Sequence, residues 1–336
     1  MTMLRLIIVL SFITVFPQTP SDNVESELEA IDEDFSGNIG VYIKNLDDGE
    51  QFEYATERDW YLASTVKIPI GIAILQRVEA GEFSLEDTIA LKESDFVDGS
   101  GDLMFQEPGT EYTVLELLER MIRDSDSTAT DMLIRFLGED SFNDQVSESI
   151  ISQGVGRITT IMQVRYDAYS EITPDVKNLS NLDIVELKEV TPLTDRYAAL
   201  LQKLEAGEES VNSESIVDAF ERYYRRGINS GSLSAMGEML EKLHNGDYLN
   251  EEHTKILMDI MKSVNTGDRR IKAGLGEDAV FAHKTGTQIG RSCNMGIVNP
   301  GMDKPVVVAV CAEKYGELRE AEIAFQKVGE LVSDFN

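Results

Sequence analysis

The sequence predicts an α+β fold. The N- and C-terminal segments form one antiparallel sheet flanked by helices, and the middle of the chain forms a helical lobe. Three observations carry this. Ile39, Val41 and Ile43 alternate near the start, which reads as a strand. Two further strand-like runs, Asn294–Val298 and Val306–Ala312, flank a Pro300-Gly301 turn near the end. Between these ends, apolar residues recur mostly at helical spacing. With 336 residues, 42% of them hydrophobic, the chain can bury one large core, or a core and a smaller satellite.

In chain order, Val24, Leu28 and Ile31 mark a first helix. The strand over Ile39–Ile43 follows, then an Asp47-Asp48-Gly49 turn and a returning strand from Gln51 to Tyr54. A helix opens at Ser64 and runs to about Gly81, with Pro69 tolerated in its early turns. Thr113 and Glu116 form a capping box before Val114, Leu117, Leu118, Met121 and Ile122. A helix spans about Thr128 to Leu137. Further helices carry Leu193, Tyr197, Leu200, Leu201 and Leu204; Ile216, Val217, Phe220 and Tyr224; Met236, Leu240 and Leu243; and Ile256, Leu257 and Ile260. Phe281–Lys284 leads into a strand, and a last helix includes Phe325, Val328, Leu331 and Val332.

At the N-terminus Arg5 precedes an apolar run from Leu6 to Phe16. One charge followed by about ten apolar residues suits a signal peptide over residues 1–21, and the run is short for a bilayer span. Thr19 and Ser21 suit small-residue cleavage positions, with Pro20 between them. No Cys follows the run, so no lipid anchor is expected, and the mature protein, residues 22–336, is expected to be exported to the periplasm or secreted. The formal net charge of −31 argues against nucleic acid and anionic lipid as partners and favours a soluble monomer. The two cysteines, Cys293 and Cys311, lie equally far from the last turn. A cross-strand bridge and two reduced buried thiols are both open. With three histidines and no CxxC pair, neither a metal centre nor any other cofactor is expected.

Three short motifs carry chemistry. In Ser64-Thr65-Val66-Lys67 the lysine lies one helical turn after the serine, so both share a face, and a helix N-terminus favours a developing oxyanion. A serine hydroxyl is a poor nucleophile until a neighbour takes its proton. Ser125-Asp126-Ser127 precedes a helix and supplies a second hydroxyl able to relay a proton, although by itself it reads as an ordinary N-cap. Lys284-Thr285-Gly286-Thr287 sits on a strand. Its lysine and hydroxyls suit a carboxylate, and Gly286 permits close approach. Each motif alone is weak.

Together and in this order, the motifs resemble those of serine β-lactamases and penicillin-binding proteins. Ala63–Pro69, Gly99–Leu103 and Met121–Leu133 are further similar to class A β-lactamases, over roughly residues 24–172 and 229–335. The resemblance implies Ser64 as nucleophile, Lys67 as its activator and Ser125 as proton relay to the leaving nitrogen. It further implies an oxyanion hole from the N–H groups of Ser64 and Thr287, and a carboxylate site from Lys284, Thr285 and Thr287. There are departures. Ser127 stands where the family usually has Asn. The family's Ω-loop carries Arg, one residue, then the Glu that activates the deacylating water; Arg165-Tyr166-Asp167 matches that spacing with a shorter acid, and Glu171 is a rival. The stretch from about Thr173 to Asn229 is longer than the family needs and reads as a helical insertion shaping substrate access. The expected activity is hydrolysis of β-lactams. A DD-peptidase acting on D-Ala-D-Ala stems and a β-lactam sensor that never turns over are the alternatives.

Overall fold

The computed structural model describes residues 20–205 and 211–334. Residues 1–19, which hold the apolar run of the predicted signal peptide, lie outside the described residues. Among those described, no helix is long and apolar enough to cross a membrane.

The strands are β1 (Asn38–Asn45), β2 (Gln51–Tyr54), β3 (Trp60–Tyr61), β4 (Thr88–Ala90), β5 (Glu111–Thr113), β6 (Ser230–Gly231), β7 (Phe281–Gln288), β8 (Arg291–Val298) and β9 (Val306–Glu313). Five of them form the main sheet in the order β2-β1-β9-β8-β7, antiparallel throughout. The two ends of the chain therefore meet side by side at β1 and β9, as the sequence predicts. Period-2 geometry sends successive side chains to opposite faces. On β9, Val307, Ala309 and Cys311 enter the larger core, while Val306, Val308, Val310 and Ala312 enter a second one. Both faces are covered, so β8 and β9 are buried along their whole length.

The second core is closed by the helices Pro20–Asp34 and Leu318–Asp334 through Leu28, Ile31, Phe325 and Val328. The larger core holds the helices Lys67–Glu79, Val114–Arg123, Ser127–Leu137, Leu233–Asn245 and Glu251–Lys262. The capping box of Thr113 and Glu116 is present. Cys293 and Cys311 are register partners on β8 and β9 and are joined as a disulfide.

The chain leaves the helical lobe at Thr159 and returns at Asn229. These two buried residues clasp each other: the Thr159 N–H donates to Asn229 Oδ1 at 3.0 Å, and Asn229 Nδ2 donates to Thr159 Oγ1 at 2.9 Å. The segment between them carries the helices Ile161–Ser170, Asn181–Glu189, Leu193–Lys203 and Ile216–Tyr224. Their apolar faces make a third core that includes Tyr61 and Ala63, the residues just ahead of Ser64. Arg165, Asp167, Glu171 and the long stretch from Thr173 thus belong to one excursion rather than to a loop followed by an insertion.

Candidate active site

Ser64 sits in a short 3-10 turn, Ala63–Val66, that runs into the helix Lys67–Glu79. Ala63 adopts φ +49°, unusual for a residue with a side chain. Ala63, Thr65, Val66 and Lys67 are buried, whereas Ser64 is partly exposed. β7 passes directly beside it. A Cβ built on Gly286 would lie 2.6 Å from the Leu62 carbonyl oxygen and 3.0 Å from the Ser64 nitrogen. Only glycine lets the strand come this close.

Lys67 is fully buried and spans to the second motif. Its ammonium donates to the Ser125 carbonyl at 2.6 Å and to the Ser125 hydroxyl at 3.1 Å. Burial disfavours its charge and lowers its pKa to about 8, against the opposing pull of Asp126 and Asp131. Ser125 itself has φ +58°, which turns both its carbonyl and its hydroxyl toward Lys67.

Asp126 ties the second motif to the loop before it. Its Oδ1 caps the helix Ser127–Leu137 by accepting from the Ala129 N–H at 2.8 Å. Its Oδ2 accepts from the N–H groups of Asp102 at 2.9 Å and Leu103 at 3.0 Å. The Ser127 N–H in turn donates to the Ser100 carbonyl at 2.9 Å.

On β7, Lys284 is fully buried and donates to the Thr285 carbonyl at 3.1 Å. Its pKa lies well below the usual lysine range through burial first, then through the charges of Lys67 and Arg270. Thr285 shares a 2.6 Å hydroxyl contact with Thr266. The Thr287 hydroxyl accepts from Arg270 Nη2 at 2.6 Å, and Arg270 Nη1 also holds the Gly286 and Cys293 carbonyls at 2.9 and 2.8 Å. Neither Arg270 nor Thr266 is legible in the sequence: each is a lone residue in a connecting segment, brought to β7 only by the chain path.

The cleft at Ser64 is lined by Tyr61, Ser100, Ser127, Asn229, Thr287 and Gln288, and by Ile161, Val164 and Arg165 from the excursion. The three sequence motifs therefore converge here. The expected acid does not. Asp167 is not part of the cleft wall; it accepts from Gln163 Nε2 at 2.9 Å and lies 3.7 Å from Arg226. Glu171 lies 3.7 Å from the same arginine. The reason is local. Asp131, fully buried on the helix Ser127–Leu137, accepts from the N–H groups of Ile161 at 2.6 Å and Met162 at 2.9 Å. This anchors the first turn of the helix Ile161–Ser170 at the cleft and sends Asp167, a turn and a half later, elsewhere. Among the described residues, no carboxylate lines the cleft. Among the described residues, no group of His, Cys, Asp and Glu is arranged to hold a metal.

Ser64, Ser127 and Thr287, one residue from each motif, line one cleft, and the buried Lys67 is bonded to Ser125. The model of the beta-lactamase enzyme family matches residues 23–335, so the chain belongs to that family. It is 20% identical over 288 residues to the beta-lactamase VEB-1 of Pseudomonas aeruginosa, covering 84% of this chain and 78% of that one. The TLA-1 extended-spectrum beta-lactamase shares the fold with a TM-score of 0.71 at 17% identity, over 94% of this chain and 99% of that one. A PBP-A mutant, solved as its acyl-enzyme complex with penicillin-G, does so with a TM-score of 0.69 at 23% identity, over 95% and 98%.

Proposed function

We propose that this protein is a serine hydrolase that opens β-lactam amides through an acyl-enzyme on Ser64, with deacylation as the slow step. The observation that carries it is the hydrogen bond from buried Lys67 to the Ser125 hydroxyl, with the partly exposed Ser64 three residues before Lys67. In this reading neutral Lys67 takes the Ser64 proton as Oγ attacks the carbonyl carbon. The N–H groups of Ser64 and Thr287 receive the oxyanion. The proton passes through the Ser125 hydroxyl to the departing nitrogen as the C–N bond breaks, leaving an ester on Ser64. Water then hydrolyses the ester, regenerating the serine and releasing the acid. Lys284, Thr285 and Thr287 hold the substrate carboxylate, and Arg270 orients the Thr287 hydroxyl. Ser127 supplies a short polar contact.

A second reading is a DD-peptidase acting on D-Ala-D-Ala ends. It is favoured by one observation: the described residues that line the cleft are Arg165 and neutral or apolar side chains, with no carboxylate among them. Such a site acylates readily and hydrolyses a lactam ester slowly. A location outside the cytoplasm fits either reading; the predicted signal and the Cys293–Cys311 disulfide support it.

The test pairs steady-state hydrolysis of a chromogenic cephalosporin and of a D-Ala-D-Ala peptide with intact-mass spectrometry. The proposal expects one adduct on the Ser64 peptide, slow continuing cephalosporin turnover and no adduct on Ser64→Ala. Peptide turnover alone supports the second reading. An equal adduct on Ser64→Ala sinks both.

A further inference from the structure

Arg165 is the residue of the excursion that the proposed chemistry leaves unused. It lies on the helix Ile161–Ser170, is nine-tenths buried and lines the cleft with Ser64, Ser127 and Thr287. Its Nε donates to Asp98 Oδ1 at 2.7 Å. Its Nη1 is buried and has no hydrogen-bond partner. A buried charged donor without an acceptor is destabilising, and such an atom in a native fold asks for a reason.

The local charge does not cancel. Asp98, itself buried, faces two cations: Arg165, and Lys188 with its Nζ 3.7 Å from Oδ2. The remaining cleft residues bring no carboxylate and are apolar or neutral. The cluster of Asp98, Arg165 and Lys188 carries one net positive charge, and Arg165 is its member on the cleft wall, in a protein whose overall charge is strongly negative. The guanidinium is planar, with its donors in a fixed fork that suits carboxylates, and Asp98 already fixes one edge of it.

Arg165 lines the cleft from the helix Ile161–Ser170, and Thr287 lines it from β7. If β7 holds the carboxylate on the leaving-amine side of the scissile amide, the wall bearing Arg165 is left for the acyl side. We propose that Arg165 is a specificity residue that recognises a second carboxylate, carried on the acyl side chain of the substrate. This rests on Ser64 being the acylated residue and deepens that reading. It names the preferred acyl donors as those with an anionic side chain. Asp98 is then a positioning residue, which holds the guanidinium by its Nε and leaves Nη1 without a protein partner.

The experiment compares two penicillins that differ by one carboxylate, the phenylacetyl and the phenylmalonyl side chain, on the full mature chain at low ionic strength. The readout is the second-order rate of acylation by time-resolved intact mass. The wild type is expected to favour the phenylmalonyl compound by about tenfold, a preference that shrinks with added salt. Arg165→Gln should abolish the preference and slow the phenylacetyl compound by a smaller factor. Arg165→Lys, which keeps the charge but not the fork, should retain part of it, and a melting curve checks that each variant is folded. If the wild type is acylated by both compounds at equal rates, or more slowly by the phenylmalonyl one, the proposal is overturned, whether or not the variants fold. A preference that survives in folded Arg165→Gln overturns it as well. If neither compound acylates Ser64, the Ser64 reading itself fails and this inference falls with it.

Discussion

The Lys67 ammonium lies 3.1 Å from the Ser125 hydroxyl and 2.6 Å from the Ser125 carbonyl oxygen, joining the first two sequence motifs inside the protein. Its pKa of about 8 sets a pH dependence. Only the neutral amine can take the Ser64 proton, and burial, which lowers the pKa, enlarges the neutral fraction at a given pH. The second-order acylation rate should therefore rise about tenfold per pH unit below pH 8 and level off above it. In Lys67→Arg, whose side chain stays charged, that rise should vanish along with most of the activity. A flat wild-type profile from pH 6 to 9 would show that another group is the base.

Gly286→Ala tests the approach of β7 to the nucleophile. The added methyl would meet the Leu62 carbonyl, the Ala63 side chain and the Ser64 nitrogen, and two of these are backbone. The strand must move away by a few tenths of an ångström or more, which pulls both N–H donors of the proposed oxyanion hole apart. Acylation should fall by about a hundredfold, since small misplacements at a reacting centre are that damaging. The melting temperature, measured alongside, should drop by only a few degrees. Acylation within threefold of wild type would remove the geometric role given to this contact.

Asp126→Ala should be both less stable and less active. The carboxylate serves the N–H groups of Ala129, Asp102 and Leu103, all lost at once. Leaving buried donors unpaired costs roughly 1–3 kcal/mol each where water cannot reach them, so about 3 kcal/mol overall is expected from urea unfolding. Asp126→Asn keeps one acceptor and should lose less. Because the loop Gly99–Leu103 and the backbone of Ser125 are both held here, acylation should fall further than stability alone accounts for, even at temperatures where the variant is fully folded.

Deacylation is the sharpest test of the cleft wall. Asp167→Asn and Glu171→Gln should each leave the acyl-enzyme lifetime within about twofold of wild type, because both side chains face Arg226 and not the cleft. Ile161→Glu places a carboxylate at a cleft position whose backbone N–H is held by Asp131, and it should shorten the lifetime by about tenfold or more. A much longer lifetime in Asp167→Asn would return the base to that residue.

Asp167 lies off the cleft wall although its spacing suits the acid expected there. Arg165-Tyr166-Asp167 satisfies a spacing, but spacing locates an acid only if the segment starts where it is assumed to start. Here Asp131 captures the N–H groups of Ile161 and Met162, so the helix begins at the cleft and Ile161, Val164 and Arg165 are the residues presented. A contact between positions 131 and 161 leaves no local signature in the chain. Arg270 and Thr266 were illegible for the same reason, since both act on β7 from the connection that follows the helix Glu251–Lys262.

By itself the sequence determined the sheet at the two ends of the chain, the helices between and the three motifs. These depend on short-range rules: side-chain periodicity, capping and residues one turn apart. It also placed Cys293 and Cys311 equally far from a turn, which made a bridge possible without choosing it. Only the tertiary structure decided that they bond, that Lys67 reaches Ser125 and not solvent, and that an arginine rather than an acid borders the cleft beside Ser64. Each of these is set by the meeting of residues far apart in the chain, where burial and the pairing of charges and hydrogen-bonding groups select one arrangement out of several that the local pattern allows.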